Sequence, residues 1–185
     1  MSRPGSGRFG PGVYAFDERV DALLERVRGN PVLDSLMTAA THAGEFSAIW
    51  HVCGLARGLA KGRHDETIAL AVGLGAESLL LNQGLKRLFR RERPTEAGDE
   101  RFEIRRPLTS SFPSGHASAA TFAAITLIRW DGGRSIPLWG TLAALVSISR
   151  PYVRIHHASD IVAGAIAGAL MAAIAKRIFR AFGIE

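Results

Sequence analysis

Three short polar clusters in an otherwise apolar chain carry residue types capable of chemistry. In the first, Lys86 is followed seven residues later by Arg93 and then Pro94. Proline disfavours helix for the residue before it, so Arg93 belongs where helix gives way to loop. In the second, Pro113-Ser114-Gly115-His116 opens an apolar segment. Ser114 suits the N-cap of a helix there, and the first free N–H groups of that helix attract an anion. In the third, Ser149-Arg150 is followed by His156, and Asp160 lies four residues beyond His156. If that segment is helical, the spacing puts His156 and Asp160 on one face. The carboxylate can then hold one imidazole nitrogen and leave the other as base or nucleophile. Guanidinium and ammonium groups, a helix N-terminus and two histidines together suit phosphoryl transfer. The cations and N–H groups hold the equatorial oxygens, where transition-state charge spreads. One histidine attacks phosphorus and the other protonates the leaving oxygen. Arginines that neutralise the charge make a divalent metal unnecessary, so neither a metal nor another cofactor is expected.

The chain that must position these groups has 185 residues, enough for one domain over 1–185. Hydrophobic residues are 47% and charged residues 22%, too apolar a balance for a disordered chain. Cys53 is the one cysteine, so an intramolecular disulfide is impossible. Lys plus Arg total 23 against 17 acids, a net charge of +6. The sequence pI of about 10.4 suits nucleic acid, acidic lipid or phosphate-bearing substrates. Residues 1–12 read as a flexible Gly/Pro/Arg/Ser arm, with no apolar core of a secretory signal peptide. Residues 16–28 place Phe16, Val20, Leu23, Leu24 and Val27 at the spacing of an amphipathic helix.

Residues 34–182 form the rest of the domain, a helix bundle in which five apolar stretches alternate with short polar breaks. They are Leu36 to Ala60, Thr67 to Leu85, His116 to Trp130, Ile136 to Ile148 and Ile161 to Ala175. Only the first two comfortably reach the roughly 17–25 residues of a spanning helix. The last stretch has no polar face, and Gly164 and Gly168 form a small-xxx-small pair suited to close packing in a bilayer. No strand alternation appears. The expected class is therefore all-α, a membrane bundle of about five spans plus an N-terminal amphipathic helix. If each stretch crosses once, Lys86 to Pro113 and Ser149 to Asp160 lie on one side. Lys61 to Glu66 and Asp131 to Arg134 lie on the other.

Each cluster alone has a plainer reading. Most of Lys86, Arg87, Arg90, Arg91 and Arg93 would be solvated or interfacial charges, and His156 with Asp160 a structural pair. His157 reads as structural. Glu45 and Glu77 read as carboxyls turned to the bundle interior rather than as catalysts. His42 and His51 are nine residues apart and would face opposite sides of a single helix. His64 reads as solvated. Trp130 and Trp139 read as interface anchors and Trp50 as packing. The joint spacing of the three clusters favours the catalytic reading.

The full pattern, K-x6-R-P, P-S-G-H and S-R-x5-H-x3-D, resembles the three-part signature of the type 2 phosphatidic-acid phosphatase superfamily. It is carried by Lys86, Arg93, Pro94, Pro113, Ser114, Gly115, His116, Ser149, Arg150, His156 and Asp160, without substitution. The resemblance implies an all-α bundle and metal-independent dephosphorylation through a phosphohistidine. By motif position it implies His156 as nucleophile, Asp160 as its orienting partner, and His116 as general acid and later base. Lys86, Arg93 and Arg150 would clamp the phosphate, with Ser114 and Gly115 donating further hydrogen bonds. The lipid phosphatases of that superfamily usually have six spans, one more than are counted here.

The expected substrate is a phosphorylated lipid reached in the plasma membrane: a polyprenyl phosphate or diphosphate, a polyprenyl-linked sugar phosphate, phosphatidylglycerophosphate or phosphatidate. Specificity would reside in the groove between helices and in the Thr95 to Thr109 loop. A soluble acid phosphatase of the same superfamily is the rival within the class. It predicts a signal peptide and amphipathic helices. A basic membrane-surface or nucleic-acid binding protein is the rival outside it. Acids interrupt the basic run from Arg87 to Arg106, which has only Phe89 and Phe102 as aromatics, so no nucleic-acid partner is expected. The excess of arginine on the site side leans toward a cytoplasmic active site, whereas the resemblance implies an external one. The sequence carries no sign of oligomeric state.

Overall fold

The computed structural model describes residues 9–95, 99–102, 104 and 109–184. Most of the expected 1–12 arm and much of the Thr95 to Thr109 loop fall outside the described residues. The described residues are all-helical, with no strand. We number the helices α1 Gly10–Glu25, α2 Pro31–Ala43, α3 Ala48–Lys61, α4 His64–Leu88, α5 Gly115–Asp131, α6 Ile136–Tyr152 and α7 Ala158–Ala181.

Local chemistry explains several boundaries. α1 begins at Gly10 rather than beyond residue 12, because Gly10 takes φ +75° and Pro11 is preset for a first helical turn. Asn30 caps α2 by accepting from the Val32 and Leu33 N–H groups, with Pro31 at the first position. Within α4 the turn over Leu80–Leu85 widens to a π-helix immediately before Lys86.

The first apolar stretch is not one helix. It breaks at Gly44–Ser47, where Phe46 and Ser47 take φ 52° and 59°. That leaves α2 with 13 residues and α3 with 14. At 1.5 Å per residue each is only about 20 Å long. The two helices long and apolar enough to cross a membrane are α4, with 25 residues, and α7, with 24. α7 reaches this length because helix continues past Ala175 through Lys176 and Arg177 to Ala181.

The core sits between α3, α4, α5, α6 and α7, around Trp50, Leu70, Leu74, Phe122, Leu127 and Val146. Trp139 is buried there, donating Nε1–H to Asp131 at 3.0 Å, and Trp130 packs on Phe179. Trp139 is therefore a core residue rather than the expected interface anchor, whereas Trp130 is only partly buried. The outward face differs. On α7, Val162, Ile166, Leu170, Ile174 and Ile178 form a stripe every fourth residue, each between 49% and 62% exposed. Val52, Leu55 and Leu59 on α3, and Ile68 and Val72 on α4, are likewise exposed. An apolar belt of this extent in water would be unusual for a monomer; hydrocarbon removes the penalty.

Gly164 and Gly168 set the α5–α7 distance. A Cβ at Gly164 would stand 2.3 Å from the Ser114 carbonyl oxygen, and one at Gly168 2.2 Å from that of Ser118. The expected small-residue pair thus seats α7 directly on the first turns of α5.

Candidate active site

At the end of the bundle where α5 and α7 begin, a cavity of about 590 Å³ is lined by Lys86, Arg93, Gly115, His116, Arg150 and His156. Glu77, Glu45 and Phe46 share its wall. Lys86 comes from the last turn of α4, just after the π-turn. Arg93 lies five residues beyond the end of that helix, immediately before Pro94. It is held by donating to the carbonyls of Ile155 at 2.5 Å and Thr109 at 3.1 Å. Ser114, fully buried, caps α5 and accepts from the Ala117 N–H at 3.4 Å. Its own N–H donates to the Asp160 carbonyl at 3.0 Å, which locks the start of α5 to the start of α7.

Arg150 lies in the last turn of α6 and is 2% exposed, yet its Nε and Nη1 have no hydrogen-bond partner. An unpaired buried guanidinium is costly. A dianion in the cavity would remove that cost. His116, in the first turn of α5, makes a hydrogen bond with the Thr41 backbone, and its Nε2 is buried without a partner. Gly44 leaves room for that ring: a Cβ there would stand 2.6 Å from His116 Cδ2. Thr41 is itself fixed, donating to Ser149 Oγ at 2.8 Å.

His156 precedes α7 rather than lying on it, because the helix starts at Ala158 with His157 as N-cap. Arg154, at φ 56°, turns the chain back after α6 and precedes the buried Ile155 and His156. Asp160, at the third helical position, still reaches both neighbours. Its Oδ2 accepts from the His157 N–H at 2.9 Å and lies 3.4 Å from His156 Nδ1. His156 Nε2 is 3.3 Å from Arg93 Nη1 at the cavity wall. Burial, and then the positive charges of Arg150 and Arg93, hold the His156 imidazole well below its ordinary pKa, against the opposing pull of Asp160. A neutral imidazole with one nitrogen oriented by a carboxylate has the lone pair of a nucleophile.

The structure thus brings together Lys86, Arg93, Gly115, His116, Arg150 and His156, with Ser114 and Asp160 immediately behind. His42 and His51 lie on separate helices, α2 and α3. The His157 ring turns to the Glu92 carbonyl, 3.3 Å away.

Sequence reasoning missed Arg91 and Asp17. Arg91 is 8% exposed, not a solvated charge; it donates to Asp160 Oδ1 at 2.5 Å, to Asp17 Oδ2 at 2.5 Å and to Ser159 Oγ at 2.8 Å. Asp17 of α1 also accepts from the Ser159 N–H at 2.8 Å, capping α7 from outside. Asp160 is therefore gripped on the side away from His156, and α1 is tied into that grip. Only the clustering of Arg90, Arg91 and Arg93 hinted at this in the sequence.

The profile of the PAP2 superfamily matches residues 66–184. The chain is 34% identical over 151 residues to the decaprenylphosphoryl-5-phosphoribose phosphatase of Mycolicibacterium smegmatis, covering 78% of this chain and 80% of that protein. It is 31% identical over 159 residues to the Mycobacterium tuberculosis protein of the same name, covering 85% and 84%. Among solved structures, a transmembrane PAP2-type phosphatidylglycerolphosphate phosphatase from Bacillus subtilis matches with TM-score 0.72 and 25% identity, over 93% of this chain and 88% of that one. LpxE of Aquifex aeolicus shares the fold, with TM-score 0.69 and 23% identity, over 86% and 94%.

Proposed function

Because the chain belongs to the PAP2 superfamily and is a phosphatase, we propose that it removes the terminal phosphate of a polyprenyl-linked sugar phosphate through a phosphohistidine. The observation that carries this reading is the buried, partnerless Nε and Nη1 of Arg150 in the same cavity as Lys86, Arg93 and two histidines. A phosphomonoester dianion matches that deficit. The lipid and the sugar are suggested by the names of the mycobacterial relatives.

In the proposed reaction, Lys86, Arg93 and Arg150 hold the three equatorial oxygens, helped by the N–H groups at the start of α5. His156 Nε2 forms the bond to phosphorus as the P–O bond to the sugar breaks. His116 gives a proton to the departing alkoxide. Water, deprotonated by His116, then attacks the phosphohistidine, releasing inorganic phosphate and restoring His156. Asp160 keeps His156 Nε2 aimed at the cavity by holding Nδ1.

We place α3 to α7 across the plasma membrane as five crossings, with the exposed stripe of α7 against lipid and the cavity at one membrane face. The apolar belt supports this arrangement. α1 and α2 would lie at that same face, because they contact the cavity end through Asp17 and Thr41.

The test is phosphate release by the purified enzyme in detergent, from a polyprenyl-linked 5-phosphopentose, a polyprenyl phosphate, a polyprenyl diphosphate, phosphatidylglycerophosphate and phosphatidate. The expected result is release that is fastest on the sugar phosphate, persists in EDTA and is blocked by vanadate. Loss of activity on chelation, or release from none of the five, contradicts the proposal.

A further inference from the structure

One polar group in the cavity wall fits no step of that reaction. Glu77 of α4 is 3% exposed, lines the cavity, and leaves Oε1 without a hydrogen-bond partner. Lys86, in the same cavity wall, acts on it through charge. The buried Ser118 hydroxyl of α5 lies beside it, the protein's own donor closest to that carboxyl, but outside good hydrogen-bond geometry. Ser78 and Asn82 continue the polar lining along α4, with Asn82 Nδ2 donating to Ser78 Oγ at 3.0 Å.

A carboxylate cannot hold phosphate oxygens, because both are acceptors and both are negative. It can receive only a donor. Once a phosphoryl group occupies Lys86, Arg93 and Arg150, what remains within reach of Glu77 is the group esterified to that phosphate. The donor such a group carries is a hydroxyl. Building on the phosphatase reading, we infer that Glu77 accepts a hydrogen bond from a hydroxyl of the leaving group and so selects phosphomonoesters of hydroxylated, sugar-like groups. Ser118 is the second polar group of that subsite. A substrate without the hydroxyl leaves a buried acceptor unpaired, and a site built this way discriminates strongly against it.

The experiment compares two substrates for the wild-type enzyme in detergent: a polyprenyl-linked 5-phosphopentose and its 2,3-dideoxy counterpart. The measured quantity is the ratio of their kcat/KM values, which is independent of the fraction of enzyme correctly folded. The wild type should prefer the hydroxylated substrate by about 10–100-fold, the discrimination of one hydrogen bond to a charged acceptor. Glu77→Leu should collapse that preference to within about threefold, and Glu77→Gln, which keeps the shape and a weaker acceptor, should fall between. A wild-type ratio near one, or a preference that survives Glu77→Leu, overturns the inference and leaves the phosphatase reading standing. Activity on neither substrate overturns both.

Discussion

The bundle buries charge at both ends, and the two ends treat it differently. At the end away from the cavity, Arg57 donates to Asp131 at 2.6 Å and to Glu66, while Lys61 donates to Asp131 at 2.5 Å. Arg63 adds a second contact to Glu66 at 2.6 Å, and Trp139 a second to Asp131. The buried group left unpaired beside this network, the Trp130 Nε1–H, is neutral. At the cavity end, Arg150 keeps two bare donors, His116 a bare nitrogen and Glu77 a bare oxygen. Burial and charge are alike in the two places. What separates them is whether the protein supplies its own partners. A closed network of ion pairs fixes helix positions, and an open one is complete only with a ligand.

The largest expected effects come from removing the central arginine at each end. Arg57→Leu strands parts of Glu66 and Asp131, and losing one partner of a buried pair costs about 3–5 kcal/mol. The lower figure is expected, because Lys61 and Arg63 remain. Arg150→Leu removes a buried cation whose Nε and Nη1 have no hydrogen-bond partner, so thermal unfolding in detergent should show equal or higher stability. Its kcat should fall by about 10²–10³-fold, as when one donor to a developing charge is removed. The comparison breaks if Arg150→Leu destabilises as much as Arg57→Leu, or if both variants keep full activity per folded molecule.

A smaller effect is expected at Arg91, which is closed like the far end but touches the site. Arg91→Lys keeps the charge and loses the fork that spans Asp17, Ser159 and Asp160. With Asp160 less firmly held, kcat should drop by up to about 10²-fold, while KM for an aryl phosphate stays near the wild-type value. A change confined to KM would show that Arg91 acts on substrate binding instead.

The smallest change is one of protonation. Burial, Arg150 and Arg93 disfavour the His156 imidazolium, so its midpoint lies below the ordinary imidazole value of about 6.5. As pH falls through 6, nitrogen-15 NMR of histidine-labelled enzyme should show His156 still neutral. In Arg150→Leu one of the opposing charges is gone, so the midpoint should move upward. A midpoint at or above 6.5 in the wild type contradicts the cationic surroundings described above.

Much of the cavity end was legible in the sequence. Lys86, Arg93, Ser114, Gly115, His116, Arg150, His156 and Asp160 stand in three local patterns, and local spacing is what a sequence displays. The rest depends on contacts between distant segments. Arg91 meets Asp17 across 74 residues and Asp160 across 69, and no periodicity records such a meeting. The break at Gly44–Ser47 escaped for a similar reason. Apolar composition continues through it, while the need for a glycine comes from His116, far along the chain. The membrane-length helices were read partly wrong: hydropathy favoured Leu36 to Ala60, which kinks, and undervalued α7, whose helix continues past its apolar run into Lys176 and Arg177.

The proposed nucleophile can be examined most directly by trapping. His116→Ala, mixed rapidly with an aryl phosphate whose leaving group needs little protonation, should still undergo attack by His156. It should lose the base that activates water, a deficit of about 10²–10⁴-fold in the second step. A burst of phenolate equal to the enzyme concentration should result, and mass spectrometry of the acid-free quench should find phosphate on His156. Phosphate on any other residue, or slow linear phenolate release with no phosphoenzyme, would contradict the phosphohistidine route.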